Sequence, residues 1–332
     1  MSTSKILVTG GAGFIGSNLV EKLLQLENVK VVRVLDNLAT GHLSNIESFL
    51  GNPKFEFIEG DIRDFKACEK ACHGMDVISH QAALGSVPRS INDPLTTNAV
   101  NISGTLNIFT AAKEAKVNRV VYAASSSTYG DSPYLPKRED VTGKPLSPYA
   151  VTKLVNELYA KVFAGLYDVN FIGLRYFNIF GPRQDPNGAY AAVIPLFMKA
   201  ILEERPPIIN GDGQTSRDFT YVDNAVQANI KAMFTERADA LNEVYNIATG
   251  EQTTLIELFN ILKKLAESTL NPSFGPERQG DVKHSLADIS KAMNYLGYQP
   301  SVKIKEGLER SFRWYAENQQ LGIRKSKIHV SN

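Results

Sequence analysis

Residues 5–16, KILVTGGAGFIG, begin with an apolar run and end in three glycines spaced three apart. Ile6, Leu7 and Val8 read as a strand buried on both faces, since a half-exposed strand would alternate apolar and polar residues. Residues 17–26, SNLVEKLLQL, carry Leu19, Val20, Leu23 and Leu24 at helical spacing. The pattern is strand, glycine turn, helix. In that setting Gly10, Gly13 and Gly16 allow a tight turn, close backbone approach to a pyrophosphate, and close helix–strand packing. The helix N-terminus, where Phe14 and Ile15 fall, offers free N–H groups and a partial positive charge to the phosphates.

An acid follows where a dinucleotide needs one. Residues 31–35, VVRVL, read as the second strand, and Asp36 ends it, followed by Asn37. A carboxylate there accepts from the adenosine ribose hydroxyls and repels a 2′-phosphate, so NAD is expected rather than NADP. The plainer alternative is a turn aspartate.

The rest of the chain narrows the class. Its 332 residues suit one large or two moderate domains, and 43% hydrophobic content supports a real core. Net charge is +1 with no charged block, so neither nucleic acid nor an anionic membrane is an expected partner. There is no run of 18 apolar residues and no signal-peptide pattern at the start. Cys68 and Cys72 are the two cysteines. They read as ordinary helix residues in a reducing cytoplasm, and no metal site is expected.

Further strands are expected at residues 55–58, 77–79 and 119–123, with helices at 64–72 and 98–115. Asp61 follows the third strand with Ile62. It suits the adenine edge, or the N-cap of the 64–72 helix. Gln81, Ala82 and Ala83 follow the fourth strand, where small residues let backbone lie against a cofactor. Strands alternating with helices imply an α/β fold, a Rossmann-type doubly wound parallel sheet, with ligands at the carboxyl ends of the strands. Ser125, Ser126 and Ser127 occupy that end of the fifth strand. Next, Ser147 and Pro148 open a helix as N-cap and first residue. Tyr149 and Lys153 then share one face at i and i+4. An ammonium near a phenol favours the phenolate, which can act as a general base. YxxxK alone is a weak signal; behind a nucleotide-binding half it reads as catalytic.

TGGAGFIG, VLDN, SSSTYG and YAVTK together resemble the extended short-chain dehydrogenase/reductase superfamily. Within it, residues 5–315 resemble the nucleotide-sugar 4-epimerases. HQAALGSVPRS, RYFNIFGPRQDPNGAYAAVIP, INGDGQTSRDFTYV and GDVKHSLADISKA are similar to the UDP-N-acetylglucosamine 4-epimerases of bacterial polysaccharide pathways. The resemblance implies Tyr149, Lys153 and Ser125 as catalytic residues, with Ser126 left as the alternative hydroxyl. It adds Asn98 and Tyr176 to the cofactor set. It assigns Ser86, Ser126, Ser127, Asn178, Ala192, Val193, Arg217, Arg278, Asp281 and Ser285 to a UDP-sugar substrate. Arg217 and Arg278 suit phosphate, because a guanidinium forks onto two oxygens; a surface ion pair is the plainer alternative.

Ser285 is similar in position to a gate that is small where N-acetyl sugars are accepted; it would otherwise cap a short helix at 287–294. Ser126 and Ser127 stand where the resembling 4,6-dehydratases carry acids, which argues for epimerisation. The resemblance further implies an NAD-binding domain over 1–180, with elements near 215–250 crossing back to it. A smaller mixed α/β domain over 181–214 and 251–332 would bind the UDP-sugar. A homodimer through the 98–115 and 149–167 helices is also implied. Rival readings are a 4-epimerase of plain or uronic UDP-sugars, and a non-catalytic dinucleotide sensor.

Overall fold

The structure is a computed structural model that describes residues 4–188, 190–277 and 283–318. Its elements run β1 (Ser4–Thr9), α1 (Phe14–Leu24), β2 (Val29–Asp36), β3 (Phe55–Glu59), α2 (Phe65–Cys72), β4 (Val77–His80), α3 (Val87–Asn92), α4 (Pro94–Asn98), α5 (Thr105–Glu114), β5 (Arg119–Ser125), α6 (Pro148–Leu166) and β6 (Asn170–Tyr176). Then come β7 (Ile179–Phe180), α7 (Val193–Leu202), β8 (Ile208–Asn210), β9 (Ser216–Arg217), β10 (Thr220–Tyr221), α8 (Val222–Phe234), β11 (Glu243–Ile247), β12 (Thr253–Thr254), α9 (Leu255–Leu265), β13 (Ser273–Gly275) and α10 (Ile304–Asn318).

Seven strands form one parallel sheet in the order β11-β6-β5-β4-β1-β2-β3. The apolar run of β1 explains the layering. Successive side chains leave a strand on opposite faces. Ile6 and Val8 enter the layer containing Leu19, Leu23 and the α8 residues Ala225 and Ala228. Leu7 enters the other layer, with Cys68, Phe109 and Ala112. Both faces are therefore covered, and each fully buried side chain of this kind contributes about 1.5–3 kcal/mol. The last strand, β11, comes from late in the chain and pairs with β6.

Glycine is required at two points of the first turn. Gly10 has φ +69°, and a Cβ there would lie 2.6 Å from the backbone nitrogen of Ala82. A Cβ at Gly16 would lie 2.1 Å from the Gly10 carbonyl oxygen. The loop thus folds flat against β4 and the start of α1.

Several local expectations differ from the structure. The helix expected at 98–115 begins earlier, because Asp93 caps Thr96 and Pro94 takes the first helical position. It passes through a π-helical segment, Ala99–Gly104, before α5. Asp61 does not cap α2; Asp64 does, accepting from Lys66 N–H at 3.0 Å. Gly211-Asp212-Gly213, which the turn-forming residues of its sequence predict as a hairpin turn, does not join paired strands, because β8 pairs with β13 and β9 with β12. The helical turn near 287–294 starts at Ser290, with Asp288 accepting from its N–H, so Ser285 does not cap it. Cys68 and Cys72 are both buried on α2; burial pushes the Cys68 thiol up to about 12 and raises that of Cys72 as well.

Candidate active site

Two cavities open along the carboxyl ends of the strands and share Asn178, Ile179 and Ala192 in their walls. The first, about 630 Å³, runs from α1 to α6. Gly10, Gly13, Phe14, Ile15 and Gly16 form one end of it, Asp36, Asn37, Asp61 and Ile62 the next stretch, and Gln81, Ala82 and Ala83 the floor. Ser86, Ser125, Tyr149, Lys153 and Tyr176 line the far end.

The phosphate end fits an anionic dinucleotide. Gly13 is the N-cap of α1, no side chain caps the helix, and its first turn holds no acid. The N–H groups there face the cavity without a competing acceptor. Asp36 is buried and has two structural bonds. Oδ2 accepts from Ala12 N–H at 2.9 Å and Oδ1 from Leu38 N–H at 2.8 Å. Each carboxylate oxygen keeps a lone pair for a ribose hydroxyl. Beside it, Asp61 accepts from Asn37 Nδ2 at 2.8 Å and pairs with Arg63. The hydrogen bond from Arg63 holds the Asp61 carboxyl down at about 2. These residues suit NAD.

At the far end, β5 and α6 bring Ser125, Tyr149 and Lys153 together. Ser147 caps α6, accepting from Ala150 N–H at 3.2 Å, and Pro148 follows it. That fixes Tyr149 and Lys153 in the first turns. Ser125 lines the cavity, whereas Ser126 lines neither cavity. Ser125 Oγ accepts from the Ser127 N–H at 3.1 Å and from Ser127 Oγ at 2.9 Å. Lys153 Nζ donates to the Ala123 carbonyl at 2.8 Å and lies 5.9 Å from the Tyr149 ring centroid.

The sequence suggests that Lys153 lowers the Tyr149 pKa, and here the protein alone differs. Burial raises the Tyr149 phenol above its ordinary value, and the hydrogen bond with Ser125 opposes this. Burial also lowers Lys153 to about 8, with Glu157 acting the other way. Desolvation disfavours both charged forms and outweighs their attraction across this distance.

Two buried networks hold the floor, and neither has a local sequence signal. Asn229 Nδ2 donates to the Tyr176 hydroxyl at 2.7 Å, and that hydroxyl donates to Gln81 Oε1 at 3.0 Å. Gln81 Nε2 returns to Asn229 Oδ1 at 3.0 Å. Below, His80 lies between Thr9 Oγ1 at 2.7 Å and Thr105 Oγ1 at 2.9 Å. Burial pushes its pKa down to about 3, with Lys153 acting in the same direction.

The second cavity, about 640 Å³, is lined by Asn178, Ala192, Val193 and Arg217. Lys199, Arg205 and Lys283 add positive charge to its walls, with Glu277 as a lining acid. Arg217 Nη1 donates to the carbonyls of Ser216 and Lys283.

Some expected residues are not brought in. Asn98 is exposed and lines neither cavity. Thr96 and Val100, one turn apart, face the first cavity, so position 98 falls on the opposite side of the helix. Ser127 and Ser285 also line neither cavity. Arg278 and Asp281 lie outside the described residues. Conversely, Gln184 and Tyr190 join the first cavity. The Tyr190 hydroxyl accepts from Asn92 Nδ2 at 2.9 Å, and the Arg89 guanidinium lies 5.5 Å from its ring centroid. Among the described residues there is no group of three metal-binding side chains, and no helix is long and apolar enough to cross a membrane.

Known proteins are similar to this chain in sequence and fold. Residues 6–248 match the model of the NAD dependent epimerase/dehydratase family. A putative UDP-glucose 4-epimerase of Methanocaldococcus jannaschii is 41% identical over 94% of this chain and 99% of that one. A UDP-N-acetylglucosamine 4-epimerase from Methanobrevibacter ruminantium, solved with UDP-N-acetylmuramic acid, superposes with a TM-score of 0.89 at 40% identity, covering 96% of this chain and 100% of that one. A UDP-glucuronic acid 4-epimerase from Bacillus cereus, solved with UDP-glucuronic acid and NAD, gives a TM-score of 0.88 at 34% identity over 94% and 99%. With sheet order, dinucleotide end and sequence in agreement, the chain belongs to the NAD dependent epimerase/dehydratase family.

Proposed function

We propose that the protein is a UDP-sugar 4-epimerase interconverting UDP-N-acetylglucosamine and UDP-N-acetylgalactosamine. The observation that carries this reading is the meeting of Ser125, Tyr149 and Lys153 at one end of the dinucleotide cavity, where a cation-lined cavity adjoins it. The glycine turn, Asp36 and Lys153 would hold NAD, which would supply a reversible hydride acceptor for sugar C4. Tyr149, as phenolate, removes the O4 proton and later gives it back. Ser125 donates to the same oxygen, and Lys153 holds the nicotinamide ribose. Lys199, Arg205 and Arg217 hold the UDP diphosphate while the 4-keto sugar turns over. Serine at 126 and 127 leaves no acid in the turn after β5 to drive water elimination.

The N-acetyl assignment draws on the sequence blocks and on the likeness to the Methanobrevibacter ruminantium enzyme. A charge argument weighs against a uronic acid. Among the described residues, the basic ones lining the first cavity are Arg63, paired with Asp61, and Lys153, turned onto Ala123. Neither offers a free fork to a sugar carboxylate. UDP-glucose remains the second reading, favoured by the name of the Methanocaldococcus jannaschii relative. An exposed stripe on α6, Val151, Leu158, Val162 and Leu166, supports a homodimer through that helix.

The experiment is a side-by-side NMR assay of UDP-N-acetylglucosamine, UDP-glucose and UDP-glucuronic acid, repeated with Ser285→Tyr. Inversion at C4 is expected fastest with the N-acetyl sugar. Ser285 lines neither cavity, so its gate role rests on the sequence resemblance; a gate there predicts that tyrosine slows that substrate about ten- to hundredfold and spares UDP-glucose. Equal effects on both substrates would remove Ser285 from the account of specificity.

A further inference from the structure

The turn after β5 carries more than the hydroxyl that lines the cavity. A serine hydroxyl has one hydrogen and two acceptor positions. On Ser125 both acceptor positions are taken by one residue, through the N–H of Ser127 at 3.1 Å and its Oγ at 2.9 Å. The other side of the same peptide is tied down too, since Thr128 Oγ1 donates to the Ser125 carbonyl at 2.8 Å. Ser125 itself is 9% exposed, with the cavity on its open side.

We infer that Ser127 is a positioning residue that restricts Ser125 to donating its hydrogen toward the Tyr149 oxygen and the sugar O4. The inference rests on the proposed function for the sugar, but not for the tyrosine. With both acceptor positions filled, Ser125 can only donate, and that bond is weaker to a neutral phenol oxygen than to a phenolate, so the base form is favoured. Without the Ser127 hydroxyl, one acceptor position opens, Ser125 can accept from the neutral phenol, and the base form loses its advantage. This role differs from direct contact with the sugar, because Ser127 lines neither cavity and reaches the site through Ser125.

Other charges near α6 are untouched by a change at 127. Lys153 is on the same helix as Tyr149, and Glu157 is paired with Arg175 of β6. Arg89 of α3 lies on Tyr190, and His80 of β4 is held neutral by burial. Lys113 of α5 lies on Tyr167, and Arg119 of β5 donates to carbonyls of α8.

The test compares wild type, Ser127→Ala and Ser127→Thr as holoenzymes. Ionisation of Tyr149 is followed by NMR titration of isotope-labelled tyrosine, with the signal assigned by its loss in Tyr149→Phe. Turnover is measured in parallel across pH. Ser127→Ala should move the Tyr149 midpoint, and the acidic limb of kcat, upward by about half to one pH unit. At neutral pH kcat should fall about three- to tenfold with KM unchanged. Ser127→Thr should restore both, and thermal unfolding should be nearly the same in all three. An unshifted midpoint in Ser127→Ala overturns the inference, as does a rise in KM alone, which marks a substrate contact. Because the titration needs no turnover, an enzyme inactive on UDP-sugars would count against the proposed function while leaving the Ser127 inference open to the same decisive reading.

Discussion

The backbone N–H of Tyr149 donates to Ser90 Oγ at 3.0 Å, joining α3 to the first turn of α6. Ser90 is fully buried, and its own hydroxyl donates to the Val87 carbonyl at 2.7 Å. The first N–H groups of a helix have no partner within it. Ser147 supplies one for Ala150 and Ser90 supplies one for Tyr149. Tyr149, the proposed general base, is thus held through its main chain by one element and through its phenol by another.

Replacing Ser90 by alanine leaves that N–H buried and unpaired. Ser90→Ala should lose about 1–3 kcal/mol of unfolding free energy. It should also lower kcat about tenfold, through misplacement of the phenol, with little change in KM. Denaturant titration and steady-state kinetics measure the two. Stability lost with kcat intact would show that the bond holds the fold and leaves the tyrosine in place.

Asp36 couples fold and cofactor. Denatured wild-type protein should release NAD in near-stoichiometric amount. Asp36→Asn should release much less, because it loses the charge that attracts ribose hydroxyls and also weakens the bonds to Ala12 and Leu38. Finding NADP in the wild type, or undiminished NAD in the variant, would contradict the role given to this carboxylate.

His80 sets an acid limit on stability. Its pKa of about 3 in the folded protein is below the ordinary 6.5. Between these values the unfolded chain binds a proton that the folded one refuses. Stability is therefore full above the ordinary value and is lost as pH falls toward 3, at up to about 1.4 kcal/mol per pH unit. His80→Gln should flatten the stability–pH curve between about pH 6 and pH 4. Chemical unfolding at several pH values checks this, and an unchanged slope would assign the acid sensitivity to other groups.

The legible part of the site was the part written in local spacing. Strand, glycine turn and helix at residues 5–26, and Tyr149 with Lys153 one helical turn apart, can be read without knowing what packs against them. Asn98 could not be located this way, because the helix starts at Pro94 and its facing positions are Thr96 and Val100. Ser90 and Asn229 were invisible for a different reason. Each acts on a residue dozens of positions away, and only the sheet order brings the partners together. Lys199, Arg205 and Lys283 are spread along the chain and become one wall only when α7 and the β8–β13 pair close the second cavity. The effect of burial on Tyr149 was likewise hidden, since spacing gives proximity to Lys153 but not the dielectric between them.

The central claim is that Tyr149 carries protons for inversion at C4 of a UDP-sugar. The most direct measurement is NMR of UDP-N-acetylglucosamine incubated with wild type and with Tyr149→Phe. Phenylalanine keeps the ring and removes the ionisable oxygen. The wild type should produce the C4 epimer until equilibrium, and the variant should be slower by about a hundred- to ten-thousandfold while still binding UDP-sugar. Epimer formed at a similar rate by both proteins would contradict the account.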